Sequence, residues 1–161
     1  MANPRWKPSV RQAAVAKGFR SGLEDKVSGD LNSLGITYTY EAHKITYDVP
    51  ARKAKYTPDF LLDNGIIIET KGQFVTADRQ KHLHIKGQKT GLDIRLVFSR
   101  SATRISKQSS TTYAMWCDTH GFQYADKSIP QSWIDEASTP ERSEANRMFL
   151  ETAAPKKAKS K

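Results

Sequence analysis

Residues 57–72, Thr-Pro-Asp-Phe-Leu-Leu-Asp-Asn-Gly-Ile-Ile-Ile-Glu-Thr-Lys-Gly, constrain this chain more tightly than any other stretch. Two apolar runs flank Asp63-Asn64-Gly65, the pattern of a β-hairpin. The tripeptide suits a three-residue loop, in which a type I turn is followed by a left-handed position that glycine takes without strain. Such a loop pairs Leu62 with Ile66, and continuing the ladder pairs Asp59 with Glu69. Directly opposed residues share a face, as do residues two apart on one strand. Asp59, Glu69 and Lys71 are therefore expected on one face. A two-residue Asn-Gly loop would slip the register by one and send Asp59 to the opposite side.

Two carboxylates and an ammonium gathered in this way are what metal-dependent phosphodiester cleavage requires. The carboxylates hold a hard divalent cation, and the lysine sits beside the attacking water or a phosphate oxygen. The alternative is an ordinary edge hairpin with solvated charges, and acid followed by acid-x-lysine is common enough by chance to keep it open.

Charge favours the site. The 161 residues, enough for one domain, carry 26 Lys+Arg against 17 Asp+Glu, a net +9. That excess favours a polyanion, nucleic acid first, because neutralising phosphates releases counterions. Residues 1–23 hold Arg5, Lys7, Arg11, Lys17 and Arg20 and no acid. Residues 94–117 again lack acids and interleave Arg100, Arg104 and Lys107 with Ser and Thr, which suits phosphate contacts. Residues 1–16 read as a basic flexible segment, 17–135 as the folded domain, and 136–161 as a polar, basic tail with little fixed structure. Cys117 is the one cysteine, so no disulfide forms within the chain, and it reads as a packing residue. His82 and His84 fall on nearly opposite sides of a helix and make no metal pair. With no membrane-length apolar run and no secretory signal in the sequence, a reducing cytoplasm is expected.

The order of elements predicts an α/β fold with a mixed sheet and helices on its faces. Residues 21–34 read as a helix with Leu23, Val27, Leu31 and Leu34 in one stripe and Gly35 closing it. Residues 38–48 read as one long strand ending at Pro50. The hairpin strands, near 56–62 and 66–71, come next. A basic helix near 76–86 carries Arg79, Lys81 and Lys86. A strand at 94–99, a helix at 113–120 capped by Thr112 and stopped by Gly121, a strand at 122–125 and a short helical turn around Trp133 complete the list. Ser21-Gly22-Leu23-Glu24 fits a capping box, in which Ser21 bonds a backbone N–H and Glu24 reaches back to the cap. A carboxylate there can also face a nearby cation, and Arg20 beside it can meet a phosphate.

Phe19-Arg20-Ser21-Gly22-Leu23-Glu24-Asp25-Lys26-Val27, Tyr56-Thr57-Pro58-Asp59-Phe60-Leu61-Leu62 and Glu69-Thr70-Lys71-Gly72 resemble the endonuclease I family of T-odd-type phages. The resemblance continues through Lys81-His82-Leu83, Asp93-Ile94-Arg95 and the segment from Phe122 to Trp133, so it spans about residues 17–135 in order. It implies a restriction-endonuclease-like PD-(D/E)xK core and a Holliday-junction-resolving endodeoxyribonuclease acting on four-way and other branched DNA. It also implies an intertwined, domain-swapped homodimer whose strand near 38–50 bridges the subunits. Each active site would take its helix glutamate from one subunit and its hairpin residues from the other. Carried over by position, the catalytic set is Glu24, Asp59, Glu69 and Lys71. Glu24, Asp59, Glu69 and the Thr70 carbonyl would hold Mg²⁺ or Mn²⁺, two ions per site. DNA contacts are expected from Arg20, Arg79, Lys81, Lys86, Arg100, Arg104 and Lys107. The family carries a further acid where this chain has Thr39; Glu41, two residues on, is not carried into the site. The rival readings are another nuclease of the same fold acting on duplex DNA and a non-catalytic DNA-binding protein.

Overall fold

A computed structural model describes residues 9–49 and 52–152. The hairpin forms in the register that the three-residue loop requires. β4 (Phe60–Leu62) and β5 (Ile67–Lys71) pair Phe60 with Ile68 and Leu61 with Ile67, which sets Asp59 opposite Glu69. Leu62 N–H donates to the Ile66 carbonyl at 2.9 Å, and Gly65 takes φ +85°. The first strand is shorter than expected because Pro58 has no N–H to place in a ladder.

The hairpin lies inside a five-stranded sheet of order β1-β4-β5-β6-β7. β1 (Tyr38–Tyr40) is antiparallel to β4, whereas β6 (Ile94–Phe98) and β7 (Tyr124–Asp126) run parallel to β5. Parallel neighbours need crossovers, and helices α3 (Thr76–Gln88) and α4 (Tyr113–His120) supply them. All five residues of β6 are buried, as expected for a strand covered on both faces. On one face Val27 and Leu31 of α2 (Gly22–Ser33) pack with Phe60, Ile68, Val97 and Trp133. On the other, Phe74, Leu96 and Phe98 meet Tyr113, Trp116 and Cys117. The buried Cys117, the Thr112 cap and the Gly121 stop at φ +67° match expectation.

Three expectations are corrected. The long strand over 38–48 is two strands. The chain turns at Glu41, whose φ is +46°, and β2 (His43–Val49) leaves for a second sheet of order β3-β2-β8. A left-handed glutamate has no sequence signature, so the break was invisible. β3 (Arg52–Tyr56) went unseen because only Tyr56 at its end is buried. Ile45, Tyr47 and Tyr56 of this sheet pack on Ile67, Ile85 and Ile94, which joins the two sheets.

The second correction is at the N-terminus. Within the segment expected to be flexible, residues 10–16 form α1 (Val10–Ala16), with a Ser9 capping box and a buried Ala14 against α2.

The third is at the C-terminus. Polar composition hid α6 (Pro140–Phe149), capped by Thr139, and β8 (Leu150–Thr152), which pairs with β2. This segment grips the hairpin turn. Arg142, 5% exposed, donates to the Asn64 carbonyl at 3.1 Å and pairs with Asp93 at 2.9 Å and with Glu136. Asn146 donates to the Gly65 carbonyl at 2.8 Å, and Asn64 donates to the carbonyls of Trp133 and Glu136. A Cβ on Gly65 would stand 3.0 Å from both Arg142 and Asn146, so the glycine serves the clasp as well as the turn. Arg142→Ala takes one donor from the Asn64 carbonyl and one of two guanidinium partners from Asp93 and Glu136, which keep Arg95, and should cost about 1–3 kcal/mol. Urea unfolding reads this directly; an unchanged midpoint would show the clasp to be dispensable.

Candidate active site

The acids lie where two strands and a helix end meet. One open cleft is lined by Arg20, Glu24, Lys55, Tyr56, Asp59, Glu69, Thr70, Lys71 and Lys81. Asp59, just before β4, accepts on Oδ2 from the Thr70 backbone N–H at 2.7 Å and from the Thr70 hydroxyl at 2.8 Å. Glu69 on β5 accepts from the Tyr56 hydroxyl on Oε2, while its Oε1 faces Lys71 at 2.8 Å and Lys81 at 3.4 Å. Both lysines also reach Asp78 of α3, at 3.4 and 3.5 Å. Glu24 forms the capping box with Ser21. Its Oε2 takes the Arg20 and Ser21 N–H groups at 2.7 and 3.2 Å and the Tyr40 hydroxyl at 2.8 Å. One oxygen therefore caps the helix, and Oε1 has no donor among the described residues, so the cap does not use the whole carboxylate.

Burial first, and the Glu69 charge second, push the Asp59 carboxyl up to about 7, against the two Thr70 hydrogen bonds that lower it. Burial also works to raise Glu69, but Lys71 and Lys81 outweigh it and hold the carboxyl at about 2. Burial works against the Lys71 ammonium, yet Glu69 and Asp78 raise its pKa above the ordinary lysine value. Burial holds His82, whose Nε2 lies 3.9 Å from Glu69, as a neutral imidazole down at about 4. The cleft thus pairs an anionic Glu69 and a fully cationic Lys71 with an Asp59 that exchanges its proton around neutral pH.

Among the described residues no three His, Cys, Asp or Glu side chains converge tightly enough to hold a cation by themselves. The donor set remains all-oxygen: Asp59 with Oδ1 free of donors, Glu69 with Oε1 toward the cleft, and Glu24 on the same rim. Mg²⁺ commonly takes only one or two protein carboxylates and fills its shell with water and phosphate. Two close carboxylates, one raised by burial and then by the charge of the other, fit that demand.

The sequence profile of the family described as Phage endonuclease I matches residues 3–152. The chain is 55% identical to Endonuclease I of Escherichia phage T7 over 118 residues, 73% of this chain and 79% of that protein. It is 53% identical to Endodeoxyribonuclease 1 of Enterobacteria phage T3 over 120 residues, 74% of this chain and 79% of that protein. The chain belongs to the phage endonuclease I family. It is an endonuclease, and among its described residues no helix is long and apolar enough to cross a membrane.

The cations expected to meet substrate divide in two on this endonuclease. Lys81 lines the cleft, with its ammonium 4.5 Å above the Tyr56 ring. Arg20 stands at the rim, with Nε 2.6 Å from Glu41 and two thirds of its side chain exposed. Arg100, Arg104 and Lys107 are exposed on the loop after β6 and form no ion pair among the described residues. That loop is rigidly tied, with Ser101 on Asp126, Ile105 on Thr111 and Tyr113 on Thr103. Arg79 and Lys86 are engaged within the chain. Arg79 is buried and spends its guanidinium on the Phe74 carbonyl and Thr76. Lys86 donates at 2.7 Å to the carbonyls of His120 and Gly121, closing the end of α4. Lone basic residues on a helix do not reveal whether a nearby carbonyl will claim them.

The sequence reading missed Tyr40, Tyr56, Lys55 and Asp78. Tyr56 directly precedes Thr57-Pro58-Asp59, and Asp78 sits in the first turn of the helix that follows Lys71. Those positions were the available signals. Thr39 is exposed, and Glu41 is buried beside Arg20 rather than in the cleft.

Proposed function

We propose that this endonuclease cleaves DNA with a divalent metal and resolves four-way and other branched junctions by paired phosphodiester hydrolysis. The observation that carries the reading is the convergence of Asp59, Glu69 and Lys71 on one cleft, with Asp59 pushed up to about 7. Pro58-Asp59 followed by Glu69-Thr70-Lys71 is the PD-(D/E)xK pattern, and the mixed sheet around it supports that core. DNA as substrate is supported by the name of the T3 relative, by the net charge of +9 and by the unpaired cations of the 99–111 loop. Junction choice would come from shape and backbone charge, with few base contacts.

Asp59, Glu69 and the Thr70 carbonyl would hold one Mg²⁺ or Mn²⁺, and Glu24 with Asp59 a second. Such ions supply a polarised phosphate and a water of lowered pKa. Asp59 serves as ligand only after losing its proton. Lys71, held as an ammonium by Glu69 and Asp78, is no base; it places positive charge beside the phosphate oxygen as negative charge grows there. Lys81 and Lys55 neutralise the neighbouring phosphates.

A two-fold homodimer would place two such clefts on one junction. The single chain already carries Glu24 beside the hairpin acids, so shared sites require exchange of the segment through β2 between subunits. Inactive Glu24→Ala and Asp59→Asn chains, mixed and co-refolded, should then regain cleavage. Confirmed heterodimers with no activity would leave each site within one chain.

Binding and cutting separate in EDTA. A gel shift should show the four-way junction bound at least about tenfold more tightly than its duplex arms. Glu24→Lys should keep or strengthen that binding, since it replaces a charge that repels phosphate, while losing cleavage. Equal affinity for junction and duplex would favour a duplex-acting nuclease of the same core. Wild-type cutting by Glu24→Lys would reduce Glu24 to a helix cap.

A further inference from the structure

The three acids of the cleft share a mode of support. Each has one oxygen tied by a hydroxyl of its own chain: Thr70 on Asp59 Oδ2, Tyr40 on Glu24 Oε2 and Tyr56 on Glu69 Oε2. The two tyrosines come from different sheets, Tyr40 from β1 and Tyr56 from β3. Tyr40 on β1 packs its ring edge-on against Phe19 at 4.8 Å and lies 5.2 Å from Phe60, its cross-strand partner. Tyr56 closes β3, 3% exposed, with its ring edge-on to His82 at 5.5 Å. Both rings are locked by aromatic neighbours, so each hydroxyl is a fixed donor.

We propose that Tyr40 and Tyr56 are positioning residues for cation capture, each pinning the inner oxygen of a glutamate so that its outer oxygen is presented to the cleft. The inference rests on the metal-site reading above and assigns that site a supporting shell. A glutamate carries three side-chain torsions, and an unpinned carboxylate would pay for ordering on binding a cation or would turn both oxygens onto the nearby lysines. Glu69 is the clearer case. Lys71 and Lys81 both pull at Oε1, and the Tyr56 hydroxyl fixes the carboxylate plane against them. The same hydroxyl gives the second sheet a part in the site, since Tyr56 ends β3 paired with Ile45 of β2. Partners of this kind change metal affinity by about 10–100-fold when removed.

Tyr40→Phe and Tyr56→Phe delete only the hydroxyls and keep the rings that the neighbours pack on. Mn²⁺ binding to the full chain without DNA, followed by loss of the free-ion electron paramagnetic resonance signal, reads the effect apart from catalysis. It is measured at a temperature where circular dichroism shows each variant fully folded. Each variant should bind Mn²⁺ about tenfold more weakly or worse, and Tyr56→Phe should lose more than Tyr40→Phe. If both folded variants bind within twofold of the parent while Glu69→Gln loses the ion, the tyrosines only pack and the proposal falls. If Glu69→Gln and Asp59→Asn also bind like the parent, the metal site itself is misplaced and this proposal falls with it.

Discussion

Glu69→Ala and Lys71→Ala should each lower junction cleavage about a thousandfold or more while leaving junction binding intact. The two side chains form one contact, 2.8 Å from Oε1 to Nζ, yet they do different work. Glu69 is held at about 2 and stays anionic throughout the working range, so its loss would remove a ligand of the proposed metal. Lys71 is held cationic by Glu69 and Asp78, so its loss removes charge at the point where the phosphate gains it. Removing either also frees the other: Lys71→Ala leaves Glu69 with Lys81 at 3.4 Å, and Glu69→Ala leaves Lys71 with Asp78. Single-turnover cleavage beside a gel shift at equal salt separates the roles. A variant that loses binding as severely as cutting would contradict the assignment, because neither residue is placed as a major DNA anchor.

Asp59→Asn should raise stability in EDTA at pH 8 while abolishing cleavage. The folded carboxyl titrates near 7, against an ordinary 3.8 in the unfolded chain. Between those values the folded state holds a proton that the unfolded state has released. From this group, stability is therefore greatest below about pH 4, falls as pH rises through 7, and stays at its lowest above. Asparagine removes the buried charge and still offers an oxygen to the two Thr70 donors. At about 1.4 kcal/mol for each pKa unit, the gain is on the order of 2–4 kcal/mol. That corresponds to about 5–10 °C in melting temperature for a chain of this size. The same proton predicts cleavage by the parent that rises with pH through the neutral range, and a metal-induced gain in stability that Asp59→Asn lacks. An Asp59→Asn melting temperature equal to or below that of the parent in EDTA at pH 8 would show that neither burial nor the Glu69 charge destabilises the Asp59 carboxylate.

The hairpin was legible because two local rules coincide there: Asp-Asn-Gly sets the loop length, and a period of two then puts Asp59, Glu69 and Lys71 on one face. Helices α2 and α4 were legible through their caps, Ser21 and Thr112, and their glycine stops. What stayed hidden depends on partners distant in sequence. Glu41 turns left-handed where its N–H meets the Asp59 carbonyl and its carboxylate meets Arg20, contacts that no window around residue 41 contains. Arg142 and Asn146 look like surface residues of a polar helix until the carbonyls of Asn64 and Gly65 are placed beneath them. Arg79 and Lys86 read as substrate contacts, and nothing near them in sequence shows that they bond the carbonyls of Phe74, His120 and Gly121. The tyrosine hydroxyls behind Glu24 and Glu69 were missed for the same reason: β1 meets α2, and β3 meets β5, only in the fold.

The central claim is tested most directly by incubating a labelled four-way junction and its matching linear duplex with the full chain, in Mg²⁺ and in EDTA. Paired cuts near the branch point of the junction are expected, in Mg²⁺ alone, with the linear duplex left largely whole. Equal cutting of the linear duplex would contradict junction selectivity, and cutting that persists in EDTA would contradict the metal site.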